Sequence, residues 1–380
     1  MKNVYYWSPC LTKVGTYKST INSAISLAKY SNKQYSVKII NSCGEWDSQG
    51  ELFKQNKIEL INLGLKYYKF LPKTGFFQSR FSYTIIFILS FFPLMRLILK
   101  EKPHFLIIHL LTILPLFIDL LKKNKTKIVL RISGFPKLNF LRRTIWKVSS
   151  KNIFKITCPS EELKKQIILK KIFLEDKISF LPDPIIKMNE FRNNFKINRE
   201  LSKKYFISVG RLTKQKNFGY LIEEFSEFIK INSEYNLYIF GDGEDRVKLQ
   251  NQINQKKIND RIFLKGFSNK INLHMKNAES FILSSLWEDP GFVLVEAAMN
   301  NLFIISSNCK NGPSEFLNYG DGGILFESNK KNALLNSLKE FLNFRNSKNY
   351  YSKIKIAKTN CKKYTLLSHY NLLKSNILRL

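Results

Sequence analysis

The sequence has few of the residues that hold disulfide-rich or metal-dependent folds together. Its five cysteines lie far apart, and none belongs to a C-x-x-C pair. This spacing predicts a reducing compartment and argues against a disulfide framework or a structural zinc. The four histidines form neither an H-x-x-x-H nor an H-E-x-x-H arrangement. The sequence therefore predicts no metal site.

Acidic residues are also scarce, with 29 Asp and Glu against 62 Lys and Arg, a net charge of +33. Such a charge favours anionic partners: nucleic acid, an acidic lipid surface or a phosphorylated substrate. The lysines are scattered, whereas a nucleic-acid-binding arm would concentrate them. We therefore expect no nucleic acid as partner, and an anionic membrane surface stays open. A/T-rich coding would equally explain the surplus of Lys, Asn, Ile and Phe.

No uncharged run is long enough to cross a bilayer. The apolar run before Pro9 is only four residues long, too short for a secretory signal. The longest uncharged or nearly uncharged runs, 81–95 and 105–121, fall short of the ~20 residues that span a membrane. We interpret both as buried core elements, with the alternative that 81–95 lies against a membrane face. A cytoplasmic protein, or one bound peripherally to the inner membrane face, is expected.

The chain of 380 residues, 44% of them hydrophobic, is long enough for two domains. Short apolar β-rich runs alternate with segments of helical period, which predicts βαβ units and parallel sheets. The segment 182–184, Pro-Asp-Pro, and the polar stretch to about residue 204 interrupt this alternation. We expect an α/β fold of two Rossmann-like domains that face each other across a cleft, 1–182 and 183–361, followed by an amphipathic helix, 362–380.

The first candidate motif is the loop 209–217 between a predicted strand and helix. Gly210 allows a sharp turn, and Arg211 and Lys216 offer cations for phosphate oxygens. A solvated basic loop is the alternative. The glycines of the next loop, 241–244, fit a close approach by a ligand or by a neighbouring backbone equally well.

The segment 288–296 carries two glutamates, Glu288 and Glu296, on either side of a predicted helix start. The backbone N–H groups of Gly291, Phe292 and Val293 would form a phosphate site at the helix N-terminus. The carboxylates could accept hydrogen bonds from vicinal hydroxyls, so a nucleotide sugar fits the pattern. A helix-capping and a surface glutamate are the alternative. In the later segment 311–315, a serine that caps a helix is as good an explanation as a ligand-binding loop.

These motifs, taken in order, resemble the donor domain of the family 4 retaining glycosyltransferases, which have the GT-B fold. The resemblance covers 205–326 and includes G-R-L-x-x-x-K-N, G-x-G, E-x7-E, G-P-S-E and the G-G-I-L-F strand. The first half matches more weakly, through the Gly15 loop, His109 after a strand and the segment 131–134. The ending Y-T-L-L at 364–367 is similar to the family's C-terminal helix, which packs back onto the first domain.

The resemblance implies a role for each matching residue. Thr16 follows Gly15 where the family has a second glycine, and His109 could equally be structural. Arg211 and Lys216 would neutralise the donor diphosphate on the donor-binding loop that begins at Gly210, Glu296 would bind the ribose, and Glu288 would contact the transferred sugar. The backbone of Gly291, Phe292 and Val293 would bind phosphate or sugar oxygens, and Gly266 and Phe267 would lie near the base. From the first domain, His109 would face the transferred sugar, and Gly15 would lie near the phosphates or the acceptor.

By resemblance, the chain would move a hexose or N-acetylhexosamine from a nucleotide-diphosphate sugar, UDP by family frequency, with retention of configuration and without a metal cofactor. The acceptor would be a glycan or a lipid-linked saccharide in bacterial surface polysaccharide synthesis, such as capsule or lipopolysaccharide. The alternatives are another GT-B transferase with a soluble acceptor and a non-catalytic protein that binds sugar nucleotides or polyanions.

Overall fold

The chain folds into two compact units, Met1–Ile185 with Leu366–Leu380, and Ile186–Thr365. The computed structural model describes residues 1–13, 15–64, 66–73, 76–136, 138–187, 204–288 and 291–378. The predicted polar stretch up to residue 204 lies almost entirely outside the described residues.

The first unit is built on parallel strands. They are β1 (Lys2–Trp7), β2 (Tyr35–Asn41), β3 (Glu59–Asn62), β4 (Phe105–Ile108), β5 (Lys127–Arg131), β6 (Lys155–Cys158) and β7 (Ile178–Phe180). All neighbouring strands pair in parallel, and the order is β3-β2-β1-β4-β5-β6-β7. Because the order reverses between β1 and β4, the loops after these two strands flank the topological switch point of the sheet.

Helices cover both faces of this sheet. They are α1 (Gly15–Tyr30), α2 (Gly50–Gln55), α3 (Phe76–Glu101), α4 (Ile113–Leu121), α5 (Phe140–Ser149) and α6 (Glu161–Leu169). Side chains of β1 alternate between the two faces, as a pleated strand requires. Val4 and Tyr6 pack with residues of α1, whereas Tyr5 and Trp7 pack with residues of α3 to α6.

The second unit repeats this architecture with a six-stranded parallel sheet. Its strands are β8 (Tyr205–Val209), β9 (Asn236–Phe240), β10 (Ile262–Gly266), β11 (Ser280–Leu283), β12 (Phe303–Ser307) and β13 (Ile324–Phe326), in the order β10-β9-β8-β11-β12-β13. Its helices are α7 (Phe218–Ile229), α8 (Arg246–Gln255), α9 (Ile271–Lys276), α10 (Phe292–Met299), α11 (Pro313–Phe316), α12 (Ala333–Phe344) and α13 (Lys348–Asn360). Two Rossmann-like α/β domains were predicted, and the structure confirms them.

The last helix, α14 (Leu366–Asn376), belongs to the first unit. Leu366, Tyr370 and Leu373 join the apolar core around α1. The His369 imidazole hydrogen-bonds through Nε2 to Ser23 Oγ of α1 and through Nδ1 to Pro182 O, both at 2.8 Å. Burial lowers the pKa of His369 to about 4, so a neutral imidazole joins α1, the chain at Pro182 and α14.

A buried ion pair holds the Pro-Asp-Pro segment against the first sheet. Arg131 Nη2 lies 2.5 Å from Asp183 Oδ1, and both side chains are almost fully buried. Ser19 Oγ of α1 donates to the same carboxylate, and Asn22 Nδ2 donates to Pro184 O at 2.7 Å. The carboxylate has a cation and a hydroxyl donor, which offsets the cost of removing it from water.

The expectation that run 81–95 is a buried core element is wrong. The helix that contains it, α3, continues through Arg80 and Arg96, since arginine is a good helix former. Its stretch Phe77–Glu101 has a mean hydropathy of 1.9 and is, by length and composition alone, long enough to cross a membrane. Of the 18-residue apolar window within this stretch, 28% is buried inside the protein. The run 105–121, in contrast, divides into β4 and α4 and is mostly buried.

A carboxylate from another helix caps the start of α12. The N-cap residue Asn332 has a left-handed backbone and no side-chain cap. Instead, the buried Glu224 of α7 accepts hydrogen bonds from the N–H groups of Asn332 at 2.9 Å and Leu335 at 3.2 Å. The negative charge also suits the positive end of the helix dipole.

We predict that Glu224→Ala lowers the free energy of unfolding by about 2 kcal/mol, because two partly buried N–H groups at the helix start lose their acceptor. Urea denaturation measures the change. The matched control is Glu223→Ala, which removes a half-exposed carboxylate paired with Lys256 and should cost less than about 1 kcal/mol. Equal losses in the two variants would contradict the capping role.

Candidate functional site

The candidate site of the second unit lies at the carboxyl edge of its parallel sheet. The strand order reverses between β8 and β11, so the loops that follow them flank the switch point. The loop after β8 carries Gly210, Arg211 and Lys216, and the loop after β11 carries Glu288. The fold therefore brings together the basic and acidic motifs, which are more than seventy residues apart in sequence.

A buried ion pair joins these two loops. Lys216 Nζ lies 2.5 Å from Glu288 Oε1, and the side chains retain only 12% and 5% of their exposure. Ser285 Oγ donates to the same oxygen at 2.5 Å. No sequence motif pointed to Ser285, although a polar residue shortly after a strand at the switch point is a usable signal.

Backbone hydrogen bonds fix the relative position of the loops. Leu286 N donates to Gln215 O at 2.8 Å, and Ser284 Oγ donates to Lys216 O at 2.8 Å. Glu288 N donates to Lys310 O at 3.1 Å, which adds the loop after β12. Hydrogen bonds thus connect three strand-to-helix loops at this edge of the second sheet.

Gly210 is required by the path of the Lys216 side chain. A Cβ at Gly210 would lie 2.9 Å from Lys216 Cε and 3.1 Å from its Cδ. Any larger residue would displace the lysine stem from its course towards Glu288. The glycine therefore positions the cation.

The glycines of the 241–244 segment allow close approach of neighbouring backbone. A Cβ at Gly241 would lie 1.9 Å from Gly210 O, and a Cβ at Gly243 would lie 2.3 Å from Leu212 O. Of the two explanations that the sequence left open, the approach of a neighbouring backbone is observed. These two glycines hold the loop after β9 against the loop after β8.

The helix after Glu288 begins at its predicted position. Gly291, the N-cap of α10, has φ +86, a conformation that favours glycine. A Cβ at Gly291 would lie 3.5 Å from Glu288 Cγ, so the glutamate packs against the helix start. Phe292 and Val293 form the first turn, and Glu296 lies one turn further along and is partly buried. Residues 289 and 290 of the motif lie outside the described residues.

The remaining predicted donor-site residues lie at the same edge of the sheet. Arg211 is exposed directly after β8. Gly266 ends β10 with φ +71 and open space at its Cβ position, and the Phe267 ring that follows is 83% exposed. Helix capping by Ser314 is wrong, because Gly312 is the N-cap of α11 and Ser314 Oγ donates to Asn308 Oδ1 instead.

Burial raises the pKa of the Cys309 thiol to about 12, and the Glu288 carboxylate adds to the rise. The thiol hydrogen is therefore retained at neutral pH, which argues against nucleophilic catalysis by this residue. In the described parts of the chain, no group of three His, Cys, Asp or Glu residues is arranged to hold a metal ion.

The first unit has its own candidate site at the switch point between β1 and β4. Gly15 begins α1 in the loop after β1, with open space at its Cβ position, and His109 directly follows β4. Burial lowers the pKa of His109 to about 3, and the charge of Arg131 lowers it further. The imidazole is therefore neutral at physiological pH.

Thr20 lies next to His109 in a network of hydroxyl groups. Thr20 Oγ1 lies 2.9 Å from Thr16 O, which can only accept a hydrogen bond, and 3.3 Å from His109 Nδ1. The same hydroxyl lies 3.1 Å from Ser8 Oγ, to which it can also donate. Because the ring is neutral, one of its two nitrogens carries no hydrogen and can accept a hydrogen bond from a hydroxyl.

Residues 189–358 match the model of the family described as Glycosyl transferases group 1. The chain is 28% identical over 334 residues to a glycosyltransferase of Methanocaldococcus jannaschii, covering 80% of this chain and 76% of that protein. It is 22% identical over 226 residues to an N-acetylgalactosamine-N,N'-diacetylbacillosaminyl-diphospho-undecaprenol 4-alpha-N-acetylgalactosaminyltransferase of Campylobacter jejuni, covering 58% of this chain and 61% of the relative.

The fold is shared with solved glycosyltransferase structures. Anabaena Alr3699/HepE in complex with UDP superposes with a TM-score of 0.74 at 12% identity, covering 100% of both chains. The two Rossmann-like domains have the GT-B architecture of these neighbours. With the family match and the relatives, this establishes that the chain is a glycosyltransferase with the GT-B fold.

Proposed function

We propose that the protein is a family 4 retaining glycosyltransferase that moves a hexose or N-acetylhexosamine from a UDP-sugar to a glycan or lipid-linked saccharide acceptor in cell-surface polysaccharide synthesis. The second unit binds the donor through its E-x7-E motif and the basic loop. The observation that carries the proposal is the buried Lys216–Glu288 pair at the switch point of the second sheet.

The pair suits a ligand that carries both negative charge and hydroxyls. One hydrogen of the Lys216 ammonium faces Glu288, and the group has two more donors for phosphate oxygens. Arg211, exposed on the same loop, can bind two oxygens of a phosphate at once. Glu288 would accept hydrogen bonds from the transferred sugar, and Glu296 would accept them from the ribose.

In the reaction, the bond between the anomeric carbon and the diphosphate oxygen breaks, and the acceptor hydroxyl oxygen forms the new bond. The diphosphate leaves with the bonding electrons, and the proton of the acceptor hydroxyl passes to an oxygen of the departing diphosphate. Lys216, Arg211 and the N–H groups at the start of α10 would stabilise the negative charge on the departing diphosphate. The sugar becomes oxocarbenium-like, and a carboxylate such as Glu288 lowers the energy of that positive charge.

The relatives support the donor and acceptor classes. A structural neighbour was solved with UDP, and the Campylobacter relative is named for a lipid diphosphate acceptor and an α-linked product. The first unit would bind the acceptor, with Gly15 and the neutral imidazole of His109 at its switch point. A GT-B transferase with a soluble acceptor is the second candidate, since the donor site would be the same.

We predict that Arg211→Ala and Lys216→Ala each remove about 2–4 kcal/mol of transition-state stabilisation, which is about 30- to 1,000-fold in kcat/KM. Steady-state kinetics with the UDP-sugar identified as donor measures the loss. Lys214→Ala is the matched control, because Lys214 is an exposed lysine on the same loop. Near-normal turnover in both variants would contradict the assignment.

Since Lys216→Ala also leaves Glu288 buried without its cation, its folding has to be measured separately. Lys216→Met combined with Glu288→Gln removes both charges and should restore most of the stability but none of the activity. Recovery of activity in that double variant would show that the pair is only structural.

We predict that UDP raises the melting temperature, because a ligand that binds only the folded state stabilises it, by about 2.7 kcal/mol at a hundred times its Kd. A thermal-shift screen of nucleoside diphosphates and their sugars measures this. Glu296→Gln should reduce the melting-temperature shift caused by UDP and leave the shift caused by inorganic pyrophosphate unchanged. A larger response to another nucleoside diphosphate would identify that nucleotide, and not UDP, as the one carried by the donor. No response to any of the nucleotides would contradict donor binding by this unit. A response without transfer to any acceptor would favour the non-catalytic binder.

We predict that transfer from an α-linked UDP-sugar gives an α-linked product. The anomeric proton of the first-formed product, followed by nuclear magnetic resonance, distinguishes retention from inversion. A β-linked product would overturn the retaining mechanism while leaving the donor assignment intact.

A further inference from the structure

The outer face of α3 is apolar where a soluble protein normally places polar side chains. Phe81, Ile88 and Phe92 follow each other at intervals of seven and four residues, so they form one stripe along the helix. Their side chains are 61%, 63% and 69% exposed. Phe77 continues the stripe towards the N-terminus and is 81% exposed.

The opposite face of α3 packs into the first unit. Ile86, Leu94 and Ile98 are buried, and the last two join the core between the sheet and its helices. A helix that crosses a bilayer by itself would expose all its faces to lipid. Because α3 is fixed along one side to protein, its stripe of about 22 Å can contact only a surface that lies beside the domain.

The neighbouring helices of the same layer expose their outer faces in the same direction. The ring of Phe91 on α3 lies 6.1 Å from that of Phe117 on α4, and Trp146 Nε1 on α5 donates to Thr112 Oγ1 before α4. Helices that cover the same face of a sheet expose their outer sides on the same side of the domain. On α5 that side carries Phe140, which is 87% exposed, with Leu141 and Val148.

Exposed apolar residues concentrate in this layer. Of the 22 large apolar residues that are exposed in the described parts of the chain, ten lie on α3, α4 and α5. Contiguous apolar surface of this kind marks contact with a membrane or with another protein.

The charge of the same region is strongly positive. The sequence from 76 to 151 contains 14 Lys and Arg but only two acidic residues, Glu101 and Asp119, and Asp119 is buried. Arg143 and Lys147 are exposed on α5 among its apolar residues. A second copy of the chain would bring the same positive charge against this face, which like-charge repulsion opposes.

We propose that the outer faces of α3 and α5 bind the surface of a bilayer containing anionic phospholipid, with α3 lying in the plane of the membrane. Phenylalanine and isoleucine side chains enter the boundary between headgroups and acyl chains, and the arginines and lysines contact lipid phosphates. We call the outer surfaces of these two helices the membrane face. Vesicle binding requires neither donor nor acceptor, so this proposal and the proposed function can fail separately.

Flotation with vesicles of phosphatidylcholine containing about 30 mol% phosphatidylglycerol tests the membrane face. We expect the wild-type chain to float at about 50 mM salt, and to float less at about 500 mM salt, where surface charges are screened. Phe81→Ser, Ile88→Asn and Phe92→Ser combined should reduce the partition coefficient at least about tenfold. Arg143→Glu with Lys147→Glu should reduce it by a similar factor on these vesicles and little on phosphatidylcholine alone.

The control variants make comparable changes on the second unit. Ile231→Ser, Val247→Asn and Tyr351→Ser replace exposed apolar residues there, and Lys248→Glu with Lys339→Glu makes the same charge change. Both should float like the wild type. Circular dichroism and thermal unfolding of every variant establish that it is folded.

Three outcomes would overturn the proposal. The first is a wild-type chain that stays with the soluble fraction on anionic vesicles at low salt. The second is an apolar triple variant of α3 that is folded and floats like the wild type. The third is light scattering that shows a dimer converted to monomer by the triple variant while vesicle binding persists, which would assign the face to a second copy.

Discussion

The buried ion pair between Lys216 and Glu288 is the interaction on which the second unit's candidate site depends. Either charge without its partner would lower the stability of the fold, because burial of an unpaired ion is costly. Together, with the Ser285 hydroxyl, they satisfy each other and join the loops after β8 and β11. Gly210 leaves room for the lysine stem, and the N–H of Glu288 adds the loop after β12. The charges are therefore held in place before any ligand arrives.

The two units use the same sheet architecture but place different chemistry at their switch points. The second unit has an ion pair and an exposed arginine there, whereas the first has a neutral histidine in a chain of hydroxyl groups. Fixed charge suits an anionic diphosphate, and a neutral acceptor of hydrogen bonds suits a sugar hydroxyl. This difference fits the proposed division into a donor-binding and an acceptor-binding unit.

The outer layer of the first unit exposes more apolar side chains than the surface of a soluble protein normally does. Most soluble helices bury their apolar stripe and expose polar residues. Helix α3 is apolar on both sides, burying Leu94 and Ile98 while exposing Ile88 and Phe92. A hydropathy pattern alone cannot distinguish these two faces, because both are equally apolar. Only the packing of α3 on the sheet shows which stripe is left outside.

The sequence by itself determined the elements of the second unit and the order of its motifs. The short β-rich runs 205–209, 236–240 and 280–283 form strands β8, β9 and β11, because such runs flanked by glycines and polar residues are local signals. Tertiary structure decided what local patterns cannot contain: the Lys216–Glu288 pair across 72 residues, the Glu224 cap of a helix more than a hundred residues away, and the outward face of α3. Each depends on which segments the sheet brings together, and that is a property of the whole fold.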